Sequence, residues 1–122
     1  MATVVTSTGI EWVTDKITET VDTQALWIGS STGAGTAAVG DLQLFALEIL
    51  QRSSSSETQS AADTVKWLAT QTYADARDVL DAGNFTTTST DAVGGLIVHG
   101  DFSAITVANL DSIQFTITLQ VT

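Results

Sequence analysis

Several residue types that carry protein chemistry are scarce or missing in this sequence. It contains no cysteine, which excludes disulfides, thiolate metal sites and cysteine nucleophiles. Its one histidine is His99, so any catalytic step or metal site that uses a histidine must use this residue. It also contains no proline, so charged residues or neighbouring copies of the chain must protect any exposed sheet edge.

Basic residues are also scarce. Four Lys and Arg stand against 14 Asp and Glu, which gives a formal net charge of −10. This balance argues against nucleic acid, because phosphates are neutralised by clustered basic residues, and against docking on anionic membranes. No apolar run approaches the roughly 20 residues that span a bilayer. The sequence also shows no basic segment followed by an apolar stretch, which is the pattern of a secretory signal. We expect neither a nucleic-acid partner nor a membrane.

The apolar content is that of a folded protein. Hydrophobic residues make up 43% of the 122 residues, unlike a disordered acidic tail, and we predict a single domain over 1–122. The polar remainder is rich in Asp and Thr and poor in Lys. This composition fits a protein from a salt-loving host, where concentrated salt screens self-repulsion, and it also fits an ordinary acidic protein.

The N-terminal region carries the helical pattern of the chain. A short β-prone segment over 3–7 leads into a predicted helix over 9–21, capped by Ser7 or Thr8. Four apolar residues at spacings of three and four define the face that we expect to pack on a sheet: Ile10, Val13, Ile17 and Val21.

Short β-prone segments separated by turn signals make up the rest. The last one alternates strictly between apolar and polar residues, which predicts a half-buried antiparallel strand of about ten residues. The other expected strands are 24–29, 47–52, 65–69, 78–85 interrupted at Gly83, and 96–102 broken at Gly100. The expected connections are a loop over 30–40, a helical turn capped by Asp41, an exposed hairpin tip over 53–60 and a loop over 86–95. We therefore predict a mainly β fold, an antiparallel β-sandwich or jelly-roll-like domain with one N-terminal amphipathic helix.

Three constellations could carry chemistry, and each has a simpler interpretation. Residues 33–38 spell G-x-G-x-x-A, as in a dinucleotide site, but no long helix follows, so we expect a turned surface loop. Asp75, Asp78 and Asp81 could gather a cation but lack the pattern of a calcium loop, so we expect solvated acids. His99 has Asp101 as its nearest acid and no nucleophile beside it, so we expect a surface or interface histidine. We predict no catalytic residues, no cofactor and no metal.

The three tryptophans are expected to serve packing, in the core or between subunits, and not to stack on sugars. Trp67 lies on an alternating strand and Trp27 in an apolar one, which favours the core for both. Trp12 lies off the apolar face of the predicted helix and is the first candidate for an exposed intersubunit anchor. The candidate interface residues are Trp12, Trp27 and His99.

The features follow a definite order along nearly the whole chain. A short strand and a helix, VVTSTGIEWVTDKI, precede an apolar strand, a Gly/Thr/Ala loop and an Asp-initiated turn, ALWIGSSTGAGTAAVGDLQLFALEILQR. A middle strand, DTVKWLATQT, precedes a segment ending in a glycine and an aromatic, VLDAGNF. A Gly-Gly turn, a strand, a β-arch and a final alternating strand follow, GGLIVHGDFSAITVANLDSIQFTITLQVT. This order resembles a family of small structural proteins from tailed viruses of bacteria and archaea.

The resemblance implies a β-sandwich component of the virion, assembled in the host cytoplasm, with no enzymatic activity. Its partners would be other copies of itself, in a trimer or higher ring, and the major capsid protein or tail proteins. Capsid decoration, as a cement or turret protein, is the first expectation, and a tail, baseplate or fibre accessory role is the second. The acidic composition would suit a virus of a halophilic archaeal or marine host. A receptor- or glycan-binding module and a small enzyme acting through His99 are the alternatives from other classes.

Overall fold

A computed structural model describes residues 1–18, 25–48, 50–88, 90 and 94–122. The described chain forms two antiparallel sheets packed against each other, with strand orders β1-β7-β6-β2-β3 and β4-β5-β8, and one N-terminal helix. The elements are β1 (Thr3–Val5), α1 (Ser7–Ile17), β2 (Trp27–Ser31), β3 (Ser53–Ser54), β4 (Ser56–Ala61), β5 (Thr64–Thr72), β6 (Arg77–Phe85), β7 (Leu96–Val107) and β8 (Ser112–Gln120). The prediction of a mainly β sandwich with an N-terminal helix is confirmed.

Helix α1 begins at Ser7, two residues earlier than expected. Thr6 is the N-cap, and its hydroxyl accepts a hydrogen bond from the Gly9 amide at 3.0 Å, so the prediction of Ser7 or Thr8 is wrong. The same hydroxyl donates to the Leu96 carbonyl of β7, which fixes the start of the helix to the sheet. The helix ends at Ile17, and the remainder of the predicted helix, 19–21, lies outside the described residues.

The buried face of α1 also differs from the predicted one. Ile10 is 54% exposed and Ile17 is 76% exposed, whereas Gly9 is buried against β7 and Trp12 packs on the core. A Cβ at Gly9 would lie 2.2 Å from the Ile97 carbonyl oxygen, so this close approach requires glycine. The approach of Gly9 to the sheet rotates the helix and turns the predicted apolar face partly to solvent.

The strands β5 and β8 follow the predicted alternation. They pair in unbroken register from Thr64↔Gln120 to Thr72↔Ser112. The apolar side of β8 faces the core, with Phe115 buried and the residues on either side of it at Ile113 and Ile117 half-buried, while every second residue is exposed. Trp67 on β5 is fully buried, and its indole N–H donates to Glu57 Oε2 at 2.6 Å, so the prediction that it belongs to the core is confirmed.

Two predicted interruptions are absent. Strand β6 runs through Gly83 and β7 runs through Gly100. A Cβ at Gly83 would lie 2.5 Å from Leu96 Cδ1, and one at Gly100 would lie 3.2 Å from Thr3 Oγ1. These glycines therefore permit close side-chain approach and do not end the strands.

Three predictions for the segment 41–60 are wrong. No helical turn follows Asp41 within the described residues, and 47–52 forms no strand there. The Ser-rich stretch 53–60 is not a hairpin tip, because it forms β3 and most of β4, and the turn to β5 lies at 62–63. The side chains of β4 all remain exposed while its main chain pairs with β5. Because this edge strand contains few apolar residues, its sequence did not indicate a strand.

The five-stranded sheet is covered on both faces. Its inner face packs on β5 and β8 through residues such as Ile28, Ala82 and Val98. Its outer face lies under residues 32–48 and 50–52, here called the covering segment, which contributes Leu44 to a second apolar cluster with Phe85 and Leu96. Consecutive residues of β2, β6 and β7 are buried for this reason, which is typical of strands with two covered faces.

Candidate functional site

A cluster of buried polar side chains lies between the covering segment and the outer face of the five-stranded sheet. Strand pairing sets Ser31 at the end of β2 opposite Asp81 on β6. The next strand, β7, contributes His99 from the same face, since the alternate residues Ala82 and Val98 belong to the inner core. Asp41 reaches the cluster from the covering segment. We call Ser31, Asp41, Asp81 and His99 the acid–histidine cluster.

His99 bridges the two carboxylates of the acid–histidine cluster. Its Nδ1 lies 2.7 Å from Asp41 Oδ2, and its Nε2 lies 2.9 Å from Asp81 Oδ2. The side chains of His99 and Asp81 are fully buried, and that of Asp41 is 21% exposed. The ring of Phe45 covers the imidazole with the two ring centroids 4.6 Å apart. The sequence-based expectation of a surface histidine is therefore wrong, and the His99 side chain offers no accessible surface to a second subunit.

The carboxylates of the cluster also hold main-chain and hydroxyl groups. Asp81 accepts hydrogen bonds from the Ser31 hydroxyl and from the Phe45 amide, the latter at 3.0 Å. Asp41 Oδ2 accepts from the Ala38 amide at 2.8 Å. Among the described residues, every buried side-chain polar atom of the cluster has a hydrogen-bond partner, and the partners come from three strands and from the covering segment.

The surroundings of His99 favour its charged form. Burial disfavours the imidazolium, but hydrogen bonds and attraction from Asp81 and then Asp41 outweigh burial, so the pKa of His99 is raised above its ordinary value of 6.5. Only the imidazolium can donate to both carboxylates at once, since a neutral ring carries a single N–H. The cluster is therefore a buried charge-assisted bridge between the sheet and the covering segment.

The geometry does not match a nucleophile and its general base. The Ser31 hydroxyl donates to Asp81 and not to His99, and both imidazole nitrogens already face carboxylates. A general base needs a free nitrogen within reach of a substrate proton. What the arrangement can do is hold the covering segment in place through ionic hydrogen bonds.

Asp101 occupies a different position from the one predicted for it. Its Oδ2 accepts a hydrogen bond from the Ala37 amide at 2.7 Å, and its Oδ1 lies 3.6 Å from the N-terminal ammonium of Met1. The hydrogen bond from Ala37, followed by contacts with Ala2 and the N-terminus, lowers the pKa of Asp101. Asp101 therefore anchors the covering segment at a second point and does not orient His99.

A buried ion pair anchors the far end of the covering segment. Arg52 Nη2 lies 2.9 Å from Glu48 Oε2, and both side chains are almost inaccessible to solvent. The guanidinium stacks over Phe85 at 3.4 Å from the ring centroid and donates from Nη1 to the Thr87 carbonyl at 3.0 Å. A Cβ at Gly29 would lie 1.9 Å from Glu48 Oε1, so glycine on β2 leaves room for this pair.

The G-x-G-x-x-A stretch lies inside the covering segment and forms the expected turned loop. No helix follows it in 39–48. A Cβ at Gly33 would lie 2.5 Å from Phe45 Cβ, and one at Gly35 would lie 2.9 Å from Phe45 Cζ. These two glycines let the loop pack around the aromatic ring that covers His99, which accounts for their spacing without a nucleotide.

The three acids at spacings of three do not gather at one place: Asp75 precedes β6, and Asp78 and Asp81 lie on either side of a register shift in β6. Asp75 and Asp78 are exposed, as expected, and bind Arg77 at 3.1 Å and Thr106 at 2.7 Å. Asp81 is fully buried, so the expectation of a solvated acid is wrong for it. Strand β6 has a register shift between Val79 and Asp81, and Asp81 lies beyond it, under the covering segment. Among the described residues, no group of three or more His, Asp or Glu side chains could hold a metal ion.

Two tryptophans, Trp12 and Trp27, are half-buried, unlike Trp67 in the core. Trp12 is half-buried, with its ring centroid 6.4 Å from that of Trp67, so its prediction as an exposed residue is wrong. Its remaining surface lines an open groove of about 640 Å³ between α1 and the end of the β4-β5-β8 sheet. Trp27 is half-buried against the cluster formed by Leu44, Phe85 and Leu96. A role for Trp12 or Trp27 between subunits stays a prediction.

Sequence reasoning missed the pairing of His99 with Asp41 and Asp81, and the pair Arg52–Glu48. The spacing of four between Glu48 and Arg52 was the one local signal available. Comparisons with protein-family models, curated proteins and solved structures find no match for this chain. No helix in the described part of the chain is long and apolar enough to cross a membrane.

Proposed function

We propose that this protein is a structural subunit of a tailed-virus virion, and that it decorates the capsid as a cement or turret protein. The observation that carries the proposal is the ordered series of sequence features, from the N-terminal strand and helix to the final alternating strand, which resembles the small virion proteins over nearly the whole chain. A two-sheet sandwich with an N-terminal helix is the fold that this resemblance implies.

The anchoring of the covering segment supports a role based on shape. The acid–histidine cluster, Asp101 and the Arg52–Glu48 pair hold one segment at three points along its length. Their charged groups are directed into the protein and satisfied there. A subunit that contacts a shell at many repeated positions gains from such a fixed outline, because each weak contact is multiplied by the copy number.

The charge of the chain supports an outward-facing position. A net charge of −10 on 122 residues keeps copies soluble and apart except where their surfaces are matched. In a virion from a saline environment, dissolved ions would screen this repulsion to a few ångströms. The same composition would serve a tail, baseplate or fibre accessory protein, which is the second form of the proposal.

Labelling of intact particles tests the proposal and separates its two forms. Purified virions are treated with a gold-conjugated antibody against this chain and imaged. Label distributed over the head supports capsid decoration, and label confined to the tail supports the accessory role. A chain that stays in the soluble host fraction while particles carry no label would contradict both.

A further inference from the structure

The four sheet edges of the described chain differ in length and protection. In the five-stranded sheet, the edge strands β1 and β3 contain three and two residues. In the other sheet, β4 carries Glu57 and a register shift between Gln59 and Ala61, which are both devices that discourage pairing. Strand β8 has nine residues, no charged side chain, no proline and no register shift. It is therefore the one long, unprotected edge among the described strands.

The register of β8 identifies which of its main-chain groups are free. Just beyond its two ends, the Tyr73 amide donates to the Asp111 carbonyl and the Val121 amide donates to the Asp63 carbonyl, each at 2.8 Å. Hydrogen-bonded and non-hydrogen-bonded pairs alternate along an antiparallel ladder, so odd-numbered residues of β8 bond to β5. The residues whose N–H and C=O point away from β5 are Ser112, Gln114, Thr116, Thr118 and Gln120.

A row of donors and acceptors of this length is complementary to another extended strand. The best-matched strand is β8 of a second copy, placed antiparallel with Thr116 opposite its own counterpart across a two-fold axis. All five free residues then meet free residues, since Gln114 lies opposite Thr118 and Ser112 opposite Gln120. Any register that pairs even with odd positions would leave the free groups unmatched.

The side chains of β8 are complementary to themselves in the same register. On the exposed face, threonine and glutamine meet threonine and serine, with no charge opposite a like charge. On the inner face, Phe115 would lie opposite Ile117, and Ile113 opposite Leu119. The last three are only half-buried in the single chain, and a second copy would cover them further.

We propose that β8 is a homodimerisation edge, which joins two copies into one continuous six-stranded sheet in the order β4-β5-β8-β8-β5-β4. The charge of the chain favours this position over the rest of the surface. Two copies of net charge −10 repel each other, and β8 is a nine-residue stretch without a carboxylate of its own, with the Asp63 side chain meeting it at its end, on Gln120. The contact is isologous, unlike the heterologous contacts that build a ring. It does not depend on the proposed virion role.

The molecular mass in solution tests the contact. The wild-type chain, Thr116→Asp and Thr58→Asp are compared by light scattering across a dilution series. We expect the wild type and Thr58→Asp to have twice the mass of one chain at high concentration, and Thr116→Asp to have the mass of one chain. Thr58 is the matched control, because it is exposed on β4 at the other edge and the substitution adds the same charge. In Thr116→Asp, two new carboxylates would face each other across the two-fold axis.

Amide hydrogen exchange tests the geometry of the same contact. In the dimer, the amides of Gln114, Thr116 and Thr118 should exchange as slowly as those of Phe115 and Ile117, which bond to β5 in either state. In Thr116→Asp, the Gln114 and Thr118 amides should become fast while Phe115 and Ile117 stay slow, which also shows that the variant is folded.

Three results would overturn the proposal: a wild-type monomer at every concentration, a dimer whose even-numbered β8 amides exchange fast, or a dimer that survives Thr116→Asp. All measurements use the isolated chain. Failure here therefore leaves the virion proposal standing, and failure of particle labelling leaves the β8 dimer standing.

Discussion

Removal of the Asp81 carboxylate is the sharpest perturbation of the acid–histidine cluster. Asp81→Ala deprives three donors of their acceptor: the His99 ring, the Phe45 amide and the Ser31 hydroxyl. His99 and Asp81 are both fully buried, so water does not replace the lost partner in the folded protein. Breaking a buried ionic pair on one side costs about 3–5 kcal/mol, because the remaining charge stays uncompensated. We expect a loss of this size in the free energy of unfolding.

Urea denaturation followed by tryptophan fluorescence measures this loss, with the buried Trp67 as reporter. A loss of about 3–5 kcal/mol lowers the midpoint by roughly 1 M or more at the slopes usual for small domains. Asp78→Ala is the matched control, since Asp78 lies on the same strand but is exposed and bonds to Thr106 at the surface. Its cost should stay below about 1 kcal/mol. Equal midpoints for the two variants would refute the assignment of Asp81 as a buried anchor.

Limited proteolysis tests whether the lost stability is that of the covering segment. Glu48 is buried in its pair with Arg52, so a Glu-specific protease should cut there slowly in the wild type. Asp81→Ala releases the Phe45 amide three residues before Glu48, and cleavage at this position should accelerate. An unchanged cleavage rate at Glu48, together with a lowered midpoint, would place the damage in the sheet alone.

Three further predictions concern pH, packing and salt. Because the folded protein raises the pKa of His99, its ionic bridge stabilises fully below the ordinary value of 6.5 and is lost as the pH rises through the higher folded value. The unfolding free energy of the wild type should therefore fall across that window, and that of His99→Gln should not; parallel pH profiles would contradict this. Gly9→Ala should lower the melting temperature, since its Cβ would lie 2.2 Å from the Ile97 carbonyl oxygen, whereas Gly40→Ala meets open space and should leave it unchanged or raise it. If the acidic surface is a salt adaptation, the melting temperature should rise from dilute buffer to molar KCl; a flat or falling curve would remove that interpretation.

Sequence reasoning predicted the facing of side chains best in the strand with one covered face. Strand β8 shows strict alternation because Phe115 faces the core and Thr116 faces solvent. Strands β6 and β7 are covered on both faces, so buried residues follow one another along them and no alternation shows in the sequence. Their glycines, Gly83 and Gly100, were therefore interpreted as ends of strands. The rotation of α1 followed from the contact of Gly9 with Ile97, which no helical periodicity encodes.

The acid–histidine cluster was beyond sequence reasoning for a different reason. His99 lies 58 positions from Asp41 and 18 from Asp81 along the chain. Only the strand order and the course of the covering segment bring them together. Asp101 was the nearest acid in sequence, but the Ala37 amide and the N-terminus occupy it. Proximity in sequence therefore misled the choice of a partner for His99, and the sequence did not show that this histidine is buried.

We propose that this chain acts as a rigid subunit of a virion, and a three-dimensional reconstruction of the intact particle tests this proposal most directly. The account predicts repeated two-sheet densities on the outside of the particle, each with the covering segment ordered over the five-stranded sheet. Particles whose head and tail are fully accounted for by other chains, with this one found only as a free protein in the host, would contradict it.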